Sequence, residues 1–250
     1  MSLYRVFHGA LADSEATVVL DAAESHHLLR VRRARTGDAV DVFDGQGNIA
    51  RGSLGNATGN RAQIEIDEIG RATAPFPAIH LLLPLAKAKA FENVVQKATE
   101  LGVSEIHPVH TRHCEVDISA DRAANKLEKW EAIALESLKQ CGNPFLPRIH
   151  APRPLPEVIR KTTAAETEAP PLRLVAALHP DARPIKRCLG DIPPVSSVHL
   201  LLGPEGDLSP EEYAGAFAAG FLPFTLGPQV LRVDTAAIAA IALIMDHFRG

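Results

Sequence analysis

Two stretches near the C-terminus have the residue types that let a chain close on a ligand: Leu202-Gly203-Pro204-Glu205-Gly206 and Leu226-Gly227-Pro228-Gln229-Val230-Leu231-Arg232-Val233-Asp234-Thr235. Glycine has no Cβ, so the backbone there can approach a bound molecule closely. The first stretch leaves an apolar run, Val198 to Leu202, and leads into Ser209-Pro210-Glu211-Glu212. That tetrapeptide predicts a helix start, with Ser209 as N-cap, Pro210 in the first helical position and Glu212 reaching back to the N-cap amide. The second stretch leaves a strand predicted over Phe221 to Thr225 and enters a helix with Asp234 or Thr235 as its N-cap. Ligands of open parallel sheets bind beyond the carboxyl ends of the strands, where both loops must lie. Alone, either loop reads equally well as an ordinary strand-to-helix turn. Together, at one sheet edge, they supply the converging backbone that a pocket needs.

Other chemistries lack their residues. Neither loop has the Lys-Ser/Thr ending of a phosphate loop and no G-x-G-x-x-G follows a strand, which argues against a nucleoside triphosphate. Cys114, Cys141 and Cys188 have no C-x-x-C spacing and read as small buried hydrophobes rather than as a disulfide framework or a zinc site. The histidines, among them His107, His110 and His113, lack the helical i, i+4 pairing of a metal site, and no metal is expected.

The elements that position the two loops follow from periodicity. Up to Gly70, short apolar stretches predict strands over Tyr4 to Phe7, Thr17 to Leu20, Ala39 to Phe43, Asn48 to Leu54 and Ala62 to Ile69, with one helix over Ala22 to Val31. Asp44-Gly45-Gln46-Gly47-Asn48 marks a hairpin between two of these strands. Such strand density predicts a small barrel or sandwich. Arg71 to Pro77 reads as a linker. From Ile79 onward strands and helices alternate: Ile79 to Leu83 as a buried strand, a helix with Phe91, Val94, Val95, Ala98 and Leu101 on one face and Gly102 as its stop, then a strand over Glu105 to Val109. A long helix is expected over Asp121 to Gln140, with Ser119 as N-cap, followed by strands over Arg148 to His150 and Leu172 to Ala177. Glu166 to Pro171 reads as a surface loop. This pattern predicts a mainly parallel sheet with helices on both faces.

The net charge of -4 and pI near 6.3 exclude a basic field over the whole molecule, so a nucleic-acid partner would need a local patch. The densest basic run is Arg30, Arg32, Arg33 and Arg35, beside His26 and His27. Residues 1–72 carry eight arginines against ten acidic residues, which keeps any such patch local. A solvated face is the competing reading. Ala236 to Met245, the longest helical apolar run, is too short to span a bilayer, and a cytoplasmic location is expected.

The residues of the two loops resemble the SPOUT-class methyltransferases, and specifically the bacterial 16S rRNA uridine N3 methyltransferases. Similar stretches are Gln96-Lys97-Ala98-Thr99-Glu100-Leu101-Gly102-Val103, Glu136…Gln140-Cys141-Gly142…Pro147 and His26-His27-Leu28-Leu29-Arg30-Val31, so the resemblance covers nearly the whole chain. It implies an α/β fold: a PUA-like β-barrel for RNA over residues 1–72, then a SPOUT domain with a trefoil knot over 77–250. It implies S-adenosylmethionine as cofactor, a homodimer with active sites at the subunit interface, and 16S rRNA of the small ribosomal subunit as substrate. Leu202, Gly203, Glu205 and Gly206 would form one wall of the cofactor pocket, and Leu226, Gly227, Leu231 and Thr235 the other. Candidate phosphate contacts are Arg5, Arg30, Arg32, Arg33, Arg35 and Lys87. The chain departs from the family pattern at Asp207, Gln229, Asp234 and Asn143, and at Arg112-His113. Methylating a uracil N3 requires loss of an imide proton, so Arg232 is the candidate stabiliser of the resulting anion, with Asp234 or Glu205 assisting proton loss or holding the loop. An N-cap role for Asp234, and a purely electrostatic partner for Arg232, are the structural alternatives. A non-catalytic RNA-binding or ribosome-assembly factor of the same fold is the functional one.

Overall fold

The computed structural model describes residues 4–12, 15–56, 60–114, 116, 118, 120–164, 170–190 and 192–249. The cap expected at Ser119 and most of the loop expected at 166–171 lie outside them. The chain divides into two compact units, residues 1–74 with 135–146, and residues 75–134 with 147–250.

In the first unit, β1 (Tyr4–Phe7), β2 (Thr17–Val19), β3 (Ala39–Phe43), β4 (Asn48–Leu54) and β5 (Gln63–Arg71) form one sheet in the order β1-β3-β4-β5-β2. Inward-facing Val6, Val18, Val40, Val42, Ala50 and Ile64 come from all five strands and share a single core. The hairpin turn between β3 and β4 is held by Asp44, whose Oδ1 accepts from the amides of Gln46 (2.8 Å) and Asn48 (3.1 Å). The helix expected over Ala22 to Val31 is in fact two pieces, α1 (Ala22–His26) and a π-helical turn, His27–Val31, in which Arg32 N donates to His27 O at 2.9 Å. Buried Glu24 in α1 accepts from the amide of Phe7 at 3.2 Å and pairs with Lys139. Lys139 belongs to α3 (Ala120–Cys141), whose last residues count with this unit.

The second unit carries a parallel sheet. Its strands are β6 (Ala78–Pro84), β7 (Glu105–His110), β8 (Arg148–Ile149), β9 (Arg153–Pro154), β10 (Leu172–Ala176), β11 (Arg183–Pro184), β12 (Ser197–Leu201) and β13 (Leu222–Thr225). Their order is β11-β13-β10-β12-β6-β7-β8, with β9 also paired to β7, and every pairing is parallel. The two-residue strands β9 and β11 are too short to show a period and went unanticipated. Helices α2 (Ala88–Leu101), α4 (Leu155–Ala164), α5 (Ile185–Leu189), α6 (Pro210–Ala218) and α7 (Val233–Arg249) complete the unit. On α2 the 3–4 spacing buries Phe91, Val94, Val95 and Ala98, and Gly102 ends the helix at φ +86°, in the left-handed region where a Cβ is costly. On one sheet face, Leu82, Val109 and Leu201 pack with Leu155 and Val158 of α4 and with Tyr213 and Ala216 of α6. Full burial of each large apolar side chain contributes about 1.5–3 kcal/mol. The capping box at α6 is present in full: Glu212 N donates to Ser209 Oγ at 3.3 Å and Ser209 N donates to Glu212 Oε2 at 2.8 Å.

Candidate functional site

Beyond the carboxyl ends of three adjacent strands, three loops converge on one cavity. After β12 come Leu202, Gly203, Pro204, Glu205 and Asp207; after β13, Leu226, Gln229, Val230 and Leu231; after β10, Ala177 and Leu178. Val233 and Ala236 of α7 form part of the wall. The third loop was not foreseen, because Leu178-His179-Pro180 contains no glycine and no capping pattern. Its signal was the position of β10 beside β12, which only the sheet order reveals. Leu178, Val230 and Leu231 are large apolar residues exposed at this mouth. Grouped exposure of that kind marks a contact surface.

Asp207 anchors the first loop. Its amide donates to Pro204 O at 2.9 Å, closing a turn, and its backbone adopts φ +62°, a left-handed conformation that Asp tolerates better than most residues. Tyr213 Oη donates to its Oδ1 at 2.6 Å. Burial, and then this carboxylate, push the Tyr213 phenol above its usual pKa. The Asp207 carbonyl meets His113 Nδ1 at 3.0 Å, and Arg112 N donates to Glu212 Oε1 at 2.8 Å, so the chain after β7 lies along the loop. A Cβ on Gly206 would come within 2.9 Å of His113 Cβ, which explains the glycine by packing.

Five of the eight candidate cofactor residues line the cavity: Leu202, Gly203, Glu205, Leu226 and Leu231. Gly206, Gly227 and Thr235 are not part of its lining. Gly227 instead serves a turn, with φ +143° and its amide donating to Thr225 Oγ1 at 3.2 Å. The cap expected at Asp234 or Thr235 is displaced, because α7 begins at Val233 and Ala236 N already donates to Arg232 O at 2.9 Å. Asp234 therefore sits inside the first turn, where a carboxylate favours the helix dipole. Arg232 is exposed, outside the lining, with Nε 3.8 Å from Asp234 Oδ1. In the first unit Arg30, Arg32, Arg33 and Arg35 are all exposed, and Arg33 takes φ +56°. Arg5 donates to Gln140 O at 3.2 Å and so closes the end of α3. Lys87, in the second unit, occupies the N-cap position of α2.

Residues 73–245 match the family described as RNA methyltransferase domain, and residues 20–67 match RNA methyltransferase PUA domain. The ribosomal RNA small subunit methyltransferase E of Synechocystis sp. is 33% identical over 92% of this chain and 73% of its own length. The chain belongs to this methyltransferase family. The enzyme of the same name from Mycobacterium bovis is 27% identical over 94% of this chain and 88% of its own length. Among solved structures, the Neisseria gonorrhoeae ribosomal RNA small subunit methyltransferase E bound to S-adenosyl methionine superimposes with TM-score 0.85 at 28% identity, over 98% of each chain. A putative methyltransferase of Legionella pneumophila in complex with bound SAM gives TM-score 0.86 at 28% identity, again over 98% of each chain.

In this member of the family the opposite edge of the parallel sheet carries a second polar group. The register sets His199, His80, Glu105 and Arg148 side by side across β12, β6, β7 and β8. His107, two residues after Glu105 on the same strand, shares its face. Glu105 Oε2 lies 2.6 Å from His150 Nε2, 3.1 Å from His107 Nε2 and 3.8 Å from His80 Nδ1. The His107 approach is close enough for an ion pair but misaligned for a hydrogen bond, and its Nε2 is a buried atom without a hydrogen-bond partner. The contacts of His107 and His150, against a smaller cost of burial, hold the Glu105 carboxyl well below the usual range. Burial lowers His80 and brings His199 down to about 3. These residues line a cavity of about 650 Å³ together with Arg148, Arg153 and Lys161. Helical spacing could not find this group. The strand signal Glu105-x-His107 could have.

Proposed function

We propose that this chain transfers the methyl group of S-adenosylmethionine to small-subunit ribosomal RNA, at N3 of a uridine. The observation that carries the cofactor reading is the character of the cavity lining. Among the described residues it holds two carboxylates, Glu205 and Asp207, several apolar side chains and no lysine or arginine. A phosphate-bearing ligand would meet like charge there, whereas a ligand with a flat apolar ring and net positive groups fits. Leu178, Leu202, Leu226 and Leu231 would hold the ring, and Gly203 lets backbone come close. When bound, the cofactor supplies a methyl carbon made electrophilic by its sulfonium.

What the chain's own residues must add is alignment, which contributes roughly 7–11 kcal/mol in well-positioned systems, and stabilisation of the uracil anion. Arg232 suits the latter because its charge is permanent and its donors are fixed in a plane. Among the described residues its exposed side chain is tethered only by the long Asp234 contact. Glu205, on the cavity wall, and Asp234 are the candidate proton acceptors or loop holders. The exposed arginines 30, 32, 33 and 35, with Arg5 and Lys87, would meet rRNA phosphates, and a homodimer would cover the apolar rim of the cavity. Among the described residues no helix is long and apolar enough to cross a membrane.

Two measurements test this reading. Calorimetry with S-adenosylmethionine is expected to show one site per chain, abolished by filling the cavity. Mass mapping of rRNA from a deletion strain is expected to lose one methyluridine, regained when the gene is restored. A pocket that binds no S-adenosylmethionine would favour a non-catalytic assembly factor, and a missing methyl group on another base would remove the N3 assignment. Sedimentation of the purified chain checks the dimer.

A further inference from the structure

We propose that His80, Glu105 and His107 bind one divalent transition-metal ion of the class that zinc represents, at the amino-terminal edge of the parallel sheet. Their donor atoms all lie within 4.8 Å of one another. Donors around a tetrahedral ion with bonds of about 2.0 Å sit roughly 3.3 Å apart, so no separation need close by more than about 1.5 Å, within reach of side-chain rotation. Two of the three separations, 3.1 and 3.8 Å, are already near that value.

Two independent observations point to an occupant. Among the described residues, His107 Nε2, which lies 3.1 Å from Glu105 Oε2 without a hydrogen bond to it, and His199 Nδ1 are buried polar atoms with no hydrogen-bond partner. His199 is 5% exposed and its ring sits 4.8 Å from that of His80, so it backs the cluster from the neighbouring strand β12. An unsatisfied buried imidazole needs an explanation, and for His107 a metal ion provides one. Secondly, the cluster has the outer support of a metal site. His150 is hydrogen-bonded through Nε2 to the same Glu105 oxygen at 2.6 Å, and its ring stacks on His107 with centroids 4.1 Å apart. Partners of that kind fix the direction of a ligating carboxylate and of an imidazole.

Ligand type selects the ion. Two imidazoles and one carboxylate suit zinc, cobalt, nickel or iron(II), and not calcium or magnesium, which take oxygen donors. Three protein ligands leave a position open to water from the adjoining cavity. The cationic side chains at the cavity, Arg148, Arg153 and Lys161, raise the competing possibility of a small anion. Arg153 and Lys161 are both engaged by Glu157, at 2.6 and 3.0 Å, and an anion entering the cluster would face the Glu105 carboxylate at its centre. Both facts favour the cation.

The test uses the full chain without a histidine tag, stripped of metal by a chelator and dialysed. Titration with Zn²⁺ and with Co²⁺ is expected to give one equivalent bound per chain and a rise in Tm. The cobalt form should show the visible absorption of a four-coordinate site without a thiolate charge-transfer band, which separates this site from Cys114, Cys141 and Cys188. The double variant His80→Ala/His107→Ala is expected to lose both the equivalent and the Tm rise, and Glu105→Gln to weaken binding at least tenfold. If the double variant does not fold by circular dichroism, Glu105→Gln decides alone. No binding by the native chain, an equivalent that survives the substitutions, or a Tm rise with inorganic phosphate in place of metal would each overturn the proposal.

Discussion

The two edges of the parallel sheet are built by different means. At the carboxyl edge, loops converge: glycine backbone, a capped helix start and exposed Leu178, Val230 and Leu231 surround a cavity whose charges, Glu205 and Asp207, come from one turn. At the amino edge the loops matter little and the strands themselves carry the chemistry, with His199, His80 and Glu105 aligned across three neighbours. Loops can be altered one residue at a time, but strand residues are bound to their register, and a one-residue slip of β6 would send His80 to the other face. On the proposed reading, the difference separates a surface for an exchanging ligand from a group that is part of the scaffold. Substitutions at the carboxyl edge should therefore change rate and affinity with little effect on stability, and those at the amino edge the reverse.

The largest expected effect is at Arg232. Arg232→Ala should lower kcat about 100- to 1000-fold, the size seen when one donor to a developing anion is removed, while cofactor affinity and Tm stay unchanged. Single-turnover methylation of 30S subunits beside calorimetry separates the two quantities. A normal rate in the variant would leave Arg232 as the electrostatic partner of Asp234 and nothing more.

Tyr213 is where the comparison should break down. The residue is buried and its half-buried hydroxyl donates to Asp207 Oδ1, so this contact serves the cavity loop and the core together. Tyr213→Phe should cost about 1.5–3 kcal/mol by urea unfolding, the range for a hydrogen bond to a charged partner, and should weaken cofactor binding as well. A loss in affinity without a loss in stability would mean that Asp207 finds another donor.

Gly203→Val returns to the pure loop case. The backbone there needs no left-handed φ, and a Cβ would stand 3.2 Å from Asp207 Oδ1 and intrude on the cavity. Cofactor affinity should fall about 10- to 100-fold, as expected for 1–3 kcal/mol of overpacking, with Tm nearly constant.

This division of labour also governs what could be read from sequence. Caps and glycines are local signals, so Ser209, Pro210 and Glu212 announced the start of α6 and the loop before it. The period of two or of 3.6 placed all the longer strands and the buried face of α2. Nothing local announces which strand lies beside which. Leu178 reached the cavity, and His80 reached Glu105, only through the order β10-β12-β6-β7. The start of α7 was misplaced for a related reason: Asp234 and Thr235 are better caps by type than Arg232, but β13 and its turn fix where the helix can begin. The last residues of α3 join the first unit because Lys139 meets Glu24, more than a hundred positions away in sequence.

The smallest effect expected is the sharpest probe of the amino edge. His199 is buried, and its Nδ1 has no hydrogen-bond partner. Leucine has a similar volume and no polar atom, so His199→Leu should stabilise the metal-free protein by about 1 kcal/mol at neutral pH, read by urea unfolding. A scaffold residue chosen for packing alone would not leave that gain unused. Stabilisation in the metal-free state would mean that the histidine row is kept at a cost to the fold, as binding groups commonly are. Destabilisation would mean that the row is ordinary packing, and the contrast between the two edges would shrink to one of construction.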